Sequence, residues 1–294
     1  MPTKAGGIFL KPCGFPRREA SRNGGDGMKD YALQLTASKQ GYNAKLNTLR
    51  EYLQAYTLKI LQEEGLLQST AFMGGTALRF LYNLPRFSED LDFSLERKKT
   101  YSWAELLKKV KHELMLAGYK ISIAYHDQKT VEKAAVRFEG LMHEAGLSPL
   151  PTQKFSVKIE IDTNPPKGAG LKTEIVNKYF PIAFLCHDLA SLFAGKLMAL
   201  LARRYSKGRD FFDLGWYLSR WRDLEPNLTL LQNGLRQISW AAGPLPTEST
   251  WRELIYGVVE RADWKKVKGD VENFLESPDD LNIFTKENVL QLVK

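Results

Sequence analysis

Between Ala71 and Leu95 the hydrophobic period of the chain changes twice, and this restricts the fold more than any other feature. Ala71-Phe72-Met73 is a short apolar run that ends at Gly74-Gly75. Thr76 to Tyr82 then reads as a helix, and Pro85 ends it because proline has no N–H to donate. From Asp90 to Leu95 polar and apolar residues alternate, which is the period of a strand. Leu91, Phe93 and Leu95 face one side of it, and Asp90 and Asp92 the other.

That unit carries a chemical implication. Residues two apart on a strand project from one face, so the two carboxylates sit close together and repel. A hard divalent cation such as Mg²⁺ removes the repulsion and takes oxygen ligands. In phosphoryl-transfer sites two such ions share carboxylates at roughly 3.5–4 Å from each other. A bare Asp-x-Asp is most often a solvated strand face. Gly74-Gly75-Thr76 upstream shifts the reading. Glycines let a backbone approach phosphate, and the helix that follows offers free N–H groups and a positive dipole end. Arg79 and Arg86 lie in the same segment and could reach a triphosphate, although Arg79 would serve equally as a surface residue. Ser88 suits either a turn or a phosphate.

The rest of the chain divides around this unit. Leu46 to Leu67 has helical spacing, and Trp103 to Leu116 is a basic amphipathic helix with Lys108, Lys109 and Lys111 on its wet side. Ile121–Tyr125 and Val131–Phe138 read as strands. Phe155 to Asp162 alternates cleanly, leaving Lys158, Glu160 and Asp162 on the polar face. Either Glu160 or Asp162 could supply a third carboxylate. From His187 onward the pattern is helical. The expected organisation is a leader over residues 1–27, an α/β core over 28–185 and a helical domain over 186–294. The leader is rich in Gly, Arg, Lys and Pro and is expected to be flexible, with Met28 a candidate start of the folded protein.

Within the helical part, Lys196 falls on the apolar stripe of Leu189, Leu192, Phe193 and Leu200. A lysine there costs stability unless its ammonium snorkels to the edge or meets an anion such as a nucleotide phosphate. Arg203, Arg204, Lys207 and Arg209 follow it, then Asp210-Phe211-Phe212-Asp213-Leu214. Asp210 could orient Lys196 or a metal-bound group, or cap the next helix. His187-Asp188 is not read as an acid/base pair, because adjacent helical residues do not face each other; Asp188 suits a helix start.

Composition narrows the partners. The 294 residues carry a net charge of +8 and a pI near 9.2, which favours anionic partners. Two cysteines, Cys13 and Cys186, are too few for a disulfide framework or a zinc site and suit a reducing cytoplasm. No apolar run approaches the roughly 18 residues of a membrane span. Neither a Walker A motif nor a Gly-x-Ser-x-Gly elbow is present.

Gly74-Gly75-Thr76-Ala77-Leu78-Arg79, followed by Arg86-Phe87-Ser88-Glu89-Asp90-Leu91-Asp92-Phe93, resembles the AbiEii/AbiGii family of bacterial nucleotidyltransferase toxins. So do Lys158-Ile159-Glu160-Ile161 and Lys196 with the later Arg209-Asp210-Phe211-Phe212-Asp213-Leu214. The resemblance covers roughly residues 46 to 220. It implies a polymerase-β-like nucleotidyltransferase core with a helical C-terminal domain, acting in a toxin–antitoxin or phage-defence system. By position, Asp90 and Asp92 would hold Mg²⁺ or Mn²⁺ with Glu160, Lys196 would contact the NTP phosphates, and Asp210 would be the second-motif acid. Gly74, Gly75, Thr76, Arg79, Arg86 and Ser88 would line the nucleotide. Gly-Gly replaces the Gly-Ser of nucleotidyltransferases at large, a pattern the toxin family shares. The implied acceptor is RNA, in particular the acceptor end of tRNA, with a cognate antitoxin as protein partner. The alternatives are a protein or small-molecule acceptor, or a non-catalytic nucleotide or RNA binder.

Overall fold

The computed structural model describes residues 26–203 and 205–294. Most of the expected leader, Cys13 and Arg204 therefore lie outside the described residues. Asp26 and Gly27, which the leader was expected to include, already belong to the first helix, α1 (Asp26–Ala37).

Helix α2 (Tyr42–Glu63) is followed by β1 (Thr70–Met73), α3 (Gly74–Tyr82) and β2 (Asp90–Leu95). Next come α4 (Trp103–Leu116), β3 (Ile121–His126), β4 (Val131–Phe138), the short α5 (Leu141–Glu144) and β5 (Phe155–Asp162). A hairpin, β6 (Leu171–Asn177) and β7 (Pro181–His187), completes a seven-stranded mixed sheet in the order β3-β4-β5-β2-β1-β7-β6. The helical part comprises α6 (Leu189–Ala202), α7 (Gly208–Arg220), α8 (Leu228–Gln237), α9 (Trp251–Arg261), α10 (Trp264–Glu272), α11 (Asp280–Ile283) and α12 (Lys286–Val293).

The sequence reading did not include β6 or β7, and its boundary near Leu185 falls inside β7. The apolar run Ile182–Cys186 is not a prelude to the helices. It pairs in parallel with β1, where Phe72 sits opposite Cys186. Phe72 stacks on Phe184 at 4.9 Å and meets Phe93 at a tilt at 5.3 Å, so three adjacent strands share one aromatic core. Leu91, Phe93, Val157, Ile159 and Ile161 are buried beside it, as the alternation demands. In the helical part Phe193 stacks on Tyr217 at 4.6 Å and meets Trp251 edge-on at 5.7 Å.

The two parts are tied through the segment before β2. Phe87 N–H donates to the carbonyl of Phe274, Glu276 N–H donates to that of Pro85, and Arg86 bridges antiparallel to Leu275. Residues near the C-terminus thus fix the loop that delivers Asp90.

Candidate active site

Register places the acidic side chains. On the parallel pair β2–β5, Asp90 lies opposite Lys158, Asp92 opposite Glu160 and Ser94 opposite Asp162. All six share the polar face of the sheet. Asp90 and Asp92 line a cleft of about 470 Å³ closed on the other side by α6 and the start of α7. That volume lies within the roughly 300–1,000 Å³ of small-molecule sites.

Gly74 and Gly75 close one end, and both positions need glycine. Gly74 has φ +79°, and a Cβ there would collide with the Asp92 carboxylate. A Cβ on Gly75 would come within 2.9 Å of Arg86 Nη2 and Ser88 Oγ. The start of α3 therefore abuts the acidic pair, as a phosphate cradle requires.

Asp92 lines the cleft, and its carboxyl is pushed up to about 7, first by burial and then by the charges of Asp90 and Glu160. Asp90 Oδ1 is buried with no hydrogen-bond partner, and Lys158 Nζ lies 3.7 Å away. Both facts suit a cation between the two acids. Among the described residues no three His, Cys, Asp or Glu side chains form a ready-made metal cage. Mg²⁺ needs none: it is commonly held by one or two carboxylates plus substrate phosphates and water.

Glu160 accepts from Lys133 Nζ at 2.9 Å and flanks Asp92 at the edge of the site. Asp162 is on the cleft wall but accepts from the backbone N–H of Asn164. Burial raises its carboxyl. Of these two candidates for a third carboxylate, Glu160 has the register that meets Asp92.

The cationic residues divide into those that face the cleft and those used elsewhere. Arg79 does not reach it. Its guanidinium binds Glu51 and Glu276 at 2.5 Å each and the Leu84 carbonyl at 2.8 Å, and lies over Phe87. Thr76 is fully buried and donates to the Asp90 carbonyl, fixing β2 against α3. Arg86 touches the cleft, but its guanidinium makes two 2.6 Å bonds to Asp213.

Lys196 does not snorkel. Its ammonium lies 2.7 Å from Asp213 and 3.2 Å from Asp210, on the cleft wall. Arg203 also binds Asp210, at 2.5 Å. Arg209 pairs with Glu89 at 3.0 Å and stacks on Phe274. The helical wall is therefore an interlocked network, not a row of free cations. Asp213 completes it. Burial alone would raise its carboxyl, but Arg86 and Lys196 hold it below the ordinary carboxylate range. The signal for Asp213 was in the sequence as an acid set within Phe211-Phe212 and Leu214.

Lys207 differs. Among the described residues it has no ion-pair partner, it lines the cleft, and its ammonium is pushed down by burial and by Arg209 and Arg203. His187, passed over as a catalytic group, is buried in the cleft wall with Nε2 at 2.9 Å from Ser94 Oγ and 3.1 Å from Glu96. Asp188 caps α6 by accepting from Ser191 N–H.

Replacing Lys196 by Met is expected to lower whatever transfer the cleft catalyses at least about tenfold, the equivalent of one lost contact to an anionic substrate. Stability should fall by about 1–3 kcal/mol, since the ammonium bonds to two carboxylates are lost while Asp213 keeps Arg86 and Asp210 keeps Arg203. Steady-state kinetics and thermal melting check both. Unaltered transfer would show that the lysine serves the network alone.

The family described as nucleotidyl transferase AbiEii toxin, type IV toxin–antitoxin system, matches residues 57–286. Among solved structures, the chain is similar to an H. pylori protein assigned as a nucleotidyltransferase (TM-score 0.50, 21% identity, 83% of this chain and 89% of that one). It is also similar to JHP933 from Helicobacter pylori (TM-score 0.49, 20% identity, 84% of this chain and 88% of that one). A third is MenT4, the nucleotidyltransferase toxin Rv2826c from Mycobacterium tuberculosis H37Rv (TM-score 0.48, 16% identity, 90% of this chain and 99% of that one). No curated protein is similar enough to count as a match.

Proposed function

The chain belongs to the AbiEii family of nucleotidyltransferase toxins of type IV toxin–antitoxin systems, and on that premise we propose that it moves a nucleotide from an NTP to RNA, the acceptor end of tRNA in particular, and so stops translation. The observation that carries this reading is that Asp90 and Asp92 share one cleft with the Gly74-Gly75 turn, Lys196 and Lys207; the charge state of the cleft agrees. Asp92 is an acid held up near 7 by burial and by its acidic neighbours, and Lys207 is a base held down by burial and by its basic ones. A divalent cation with a bound triphosphate brings positive charge to the first and negative charge to the second.

Asp90 and Asp92 would hold Mg²⁺ or Mn²⁺, which when bound neutralises the acidic pair and polarises the α-phosphate. The backbone at Gly74-Gly75, the N-terminus of α3, Ser88, Lys196 and Lys207 would bind and orient the phosphates. Glu160, opposite Asp92, would orient the acceptor hydroxyl. The hydroxyl oxygen bonds to the α-phosphorus while the bond to the bridging oxygen breaks. Pyrophosphate leaves, and the hydroxyl proton passes to a carboxylate or to solvent. Family membership implies an antitoxin partner, and action on tRNA would place the protein in the cytoplasm. Among the described residues no helix is long and apolar enough to cross a membrane.

The test is to incubate the protein with each labelled NTP and total RNA in Mg²⁺. Label should appear in the tRNA band from at least one NTP and vanish with EDTA. Label that appears only in protein or in a small molecule such as an aminoglycoside would overturn the RNA acceptor while keeping the transferase. No label from any NTP would overturn the transfer itself.

A further inference from the structure

A second concavity adjoins Asp90 from the side away from α6, with a volume of about 300 Å³. Asp90 is common to its lining and to that of the main cleft. One wall is a single face of α2, with Tyr42, Leu46 and Arg50 at successive intervals of four residues. The other is the start of β5 and the residues before it, including Lys154, Ser156 and Lys158. These three alternate on the polar face that continues into Glu160, and Lys158 is in register with Asp90. From Tyr42 to Arg50 the helix rises about 12 Å, and from Lys154 to Lys158 the chain advances about 13 Å. Two rails of matching length therefore run toward the acidic pair.

We propose that this groove receives the single-stranded end of the acceptor RNA, with Lys154, Lys158 and Arg50 along its phosphates and Tyr42 as a stacking platform for a base at the rim. The inference rests on the nucleotidyltransferase reading and adds the place of the acceptor.

Displacement at phosphorus is in line, so attacking and leaving oxygens lie on opposite sides of the metal-bound phosphate. With the triphosphate in the cleft beside Lys196 and Lys207, the acceptor hydroxyl approaches from the other flank of Asp90, where the groove opens. The state of the cations agrees. On the helical wall Lys196, Arg203 and Arg209 are bonded to carboxylates at 2.5–3.0 Å. In the groove, Arg50–Glu89 and Lys158–Asp90 are 3.7 Å apart, beyond hydrogen-bond length, and Lys154 donates at 3.0 Å to Glu139, a carboxylate that is itself exposed. The Lys154 and Lys158 side chains are 49% and 58% exposed. Loosely held cations exchange their carboxylates for phosphate at little cost. Tyr42 is 52% exposed. Cations along a backbone track with an aromatic platform suit a single strand, because every base has a stacking face.

The test measures binding of a short fluorescent single-stranded RNA and of tRNA by anisotropy, across salt concentration. Lys154→Glu and Tyr42→Ala are compared with wild type, with Arg261→Glu as a matched charge change on α9. We expect Lys154→Glu to weaken RNA binding roughly tenfold and to reduce the salt slope by about 1. Tyr42→Ala should weaken it at every salt concentration, and Arg261→Glu should leave it unchanged. Affinity for a fluorescent NTP should match wild type in all three. Lys154 and Tyr42 are exposed, so thermal melting should not move. RNA affinity unaltered in both groove variants overturns the groove, as does an equal loss in Arg261→Glu. A wild-type chain that transfers nothing from any NTP overturns the underlying reading, and this is read in a separate assay.

Discussion

Asp92→Asn is expected to abolish transfer, by at least about a thousandfold, and also to raise the melting temperature of the metal-free protein at pH 8. The loss of about 4 kcal/mol of transition-state stabilisation corresponds to that factor and is the effect expected if Asp92 holds the metal as proposed. The gain follows from the folded-state carboxyl, which is pushed up to about 7 by burial, Asp90 and Glu160. Unfolded, the same group titrates near its ordinary 3.8. Between those values the folded chain binds a proton that the unfolded chain does not. Stability contributed through this group therefore falls as pH rises from about 4 to about 7, and the full penalty stands above 7. It is on the order of a few kcal/mol. Asparagine does not titrate, so wild type and Asp92→Asn should diverge across that window, and Mg²⁺ should narrow the gap by relieving the wild type. Melting curves from pH 5 to pH 8 with and without Mg²⁺, beside turnover at saturating NTP, measure both halves. Near-wild-type turnover would remove Asp92 from the site. A variant less stable than wild type at pH 8 would mean that the carboxylate is held by bonds that asparagine cannot replace.

The acidic pair was legible because everything that defines it is local. Period two from Asp90 to Leu95, the glycines and Pro85 lie within one short stretch of chain. Glu160 and Asp162 were legible as a face, but their choice depends on register between β2 and β5, which alternation alone does not set. The arginines show the limit most clearly. A sequence displays the charge of Arg86 and Arg79, but not their carboxylate partners, Asp213 for the first and Glu51 and Glu276 for the second, which lie 127, 28 and 197 residues away. Arg86 read as a phosphate ligand, and Arg79 as either that or a surface residue, because charge alone does not show such pairings. Lys196 was read as either snorkelling or meeting an anion such as a nucleotide phosphate, and its ammonium meets two carboxylates of its own fold. The hairpin β6–β7 was hidden for another reason. Its inner strand carries Ile182, Phe184, Leu185 and Cys186, an apolar run that periodicity cannot distinguish from the start of a buried helix. The groove stayed invisible because α2 starts at Tyr42, ahead of the Leu46 at which its apolar spacing becomes regular.

Asp213→Ala is expected to destabilise the protein by roughly 3–5 kcal/mol, more than Lys196→Met does, because it strands a buried charge. Arg86 is 2% exposed and makes both of its 2.6 Å charge-assisted bonds to this one carboxylate, retaining only the Phe87 carbonyl. Lys196 loses its shorter contact and is left with Asp210 at 3.2 Å. The consequence should reach beyond local packing. Arg86 sits where the chain pairs with Leu275, just before the strand that delivers Asp90, so a stranded guanidinium there loosens the joint between the sheet and the helices. A chain of this size should lose about 2–4 °C of melting temperature per kcal/mol, giving a drop of roughly 6–20 °C. The double variant Arg86→Met/Asp213→Leu separates the two contributions. With neither charge left unpaired, most of the stability should return, since replacing both members of a buried pair by apolar groups is often neutral. Transfer should stay lost, because Lys196 then has no Asp213 to hold it against the cleft. A double variant as unstable as Asp213→Ala would mean that the carboxylate matters through something other than its pairing with Arg86. Full transfer in it would mean that Lys196 needs no positioning from Asp213.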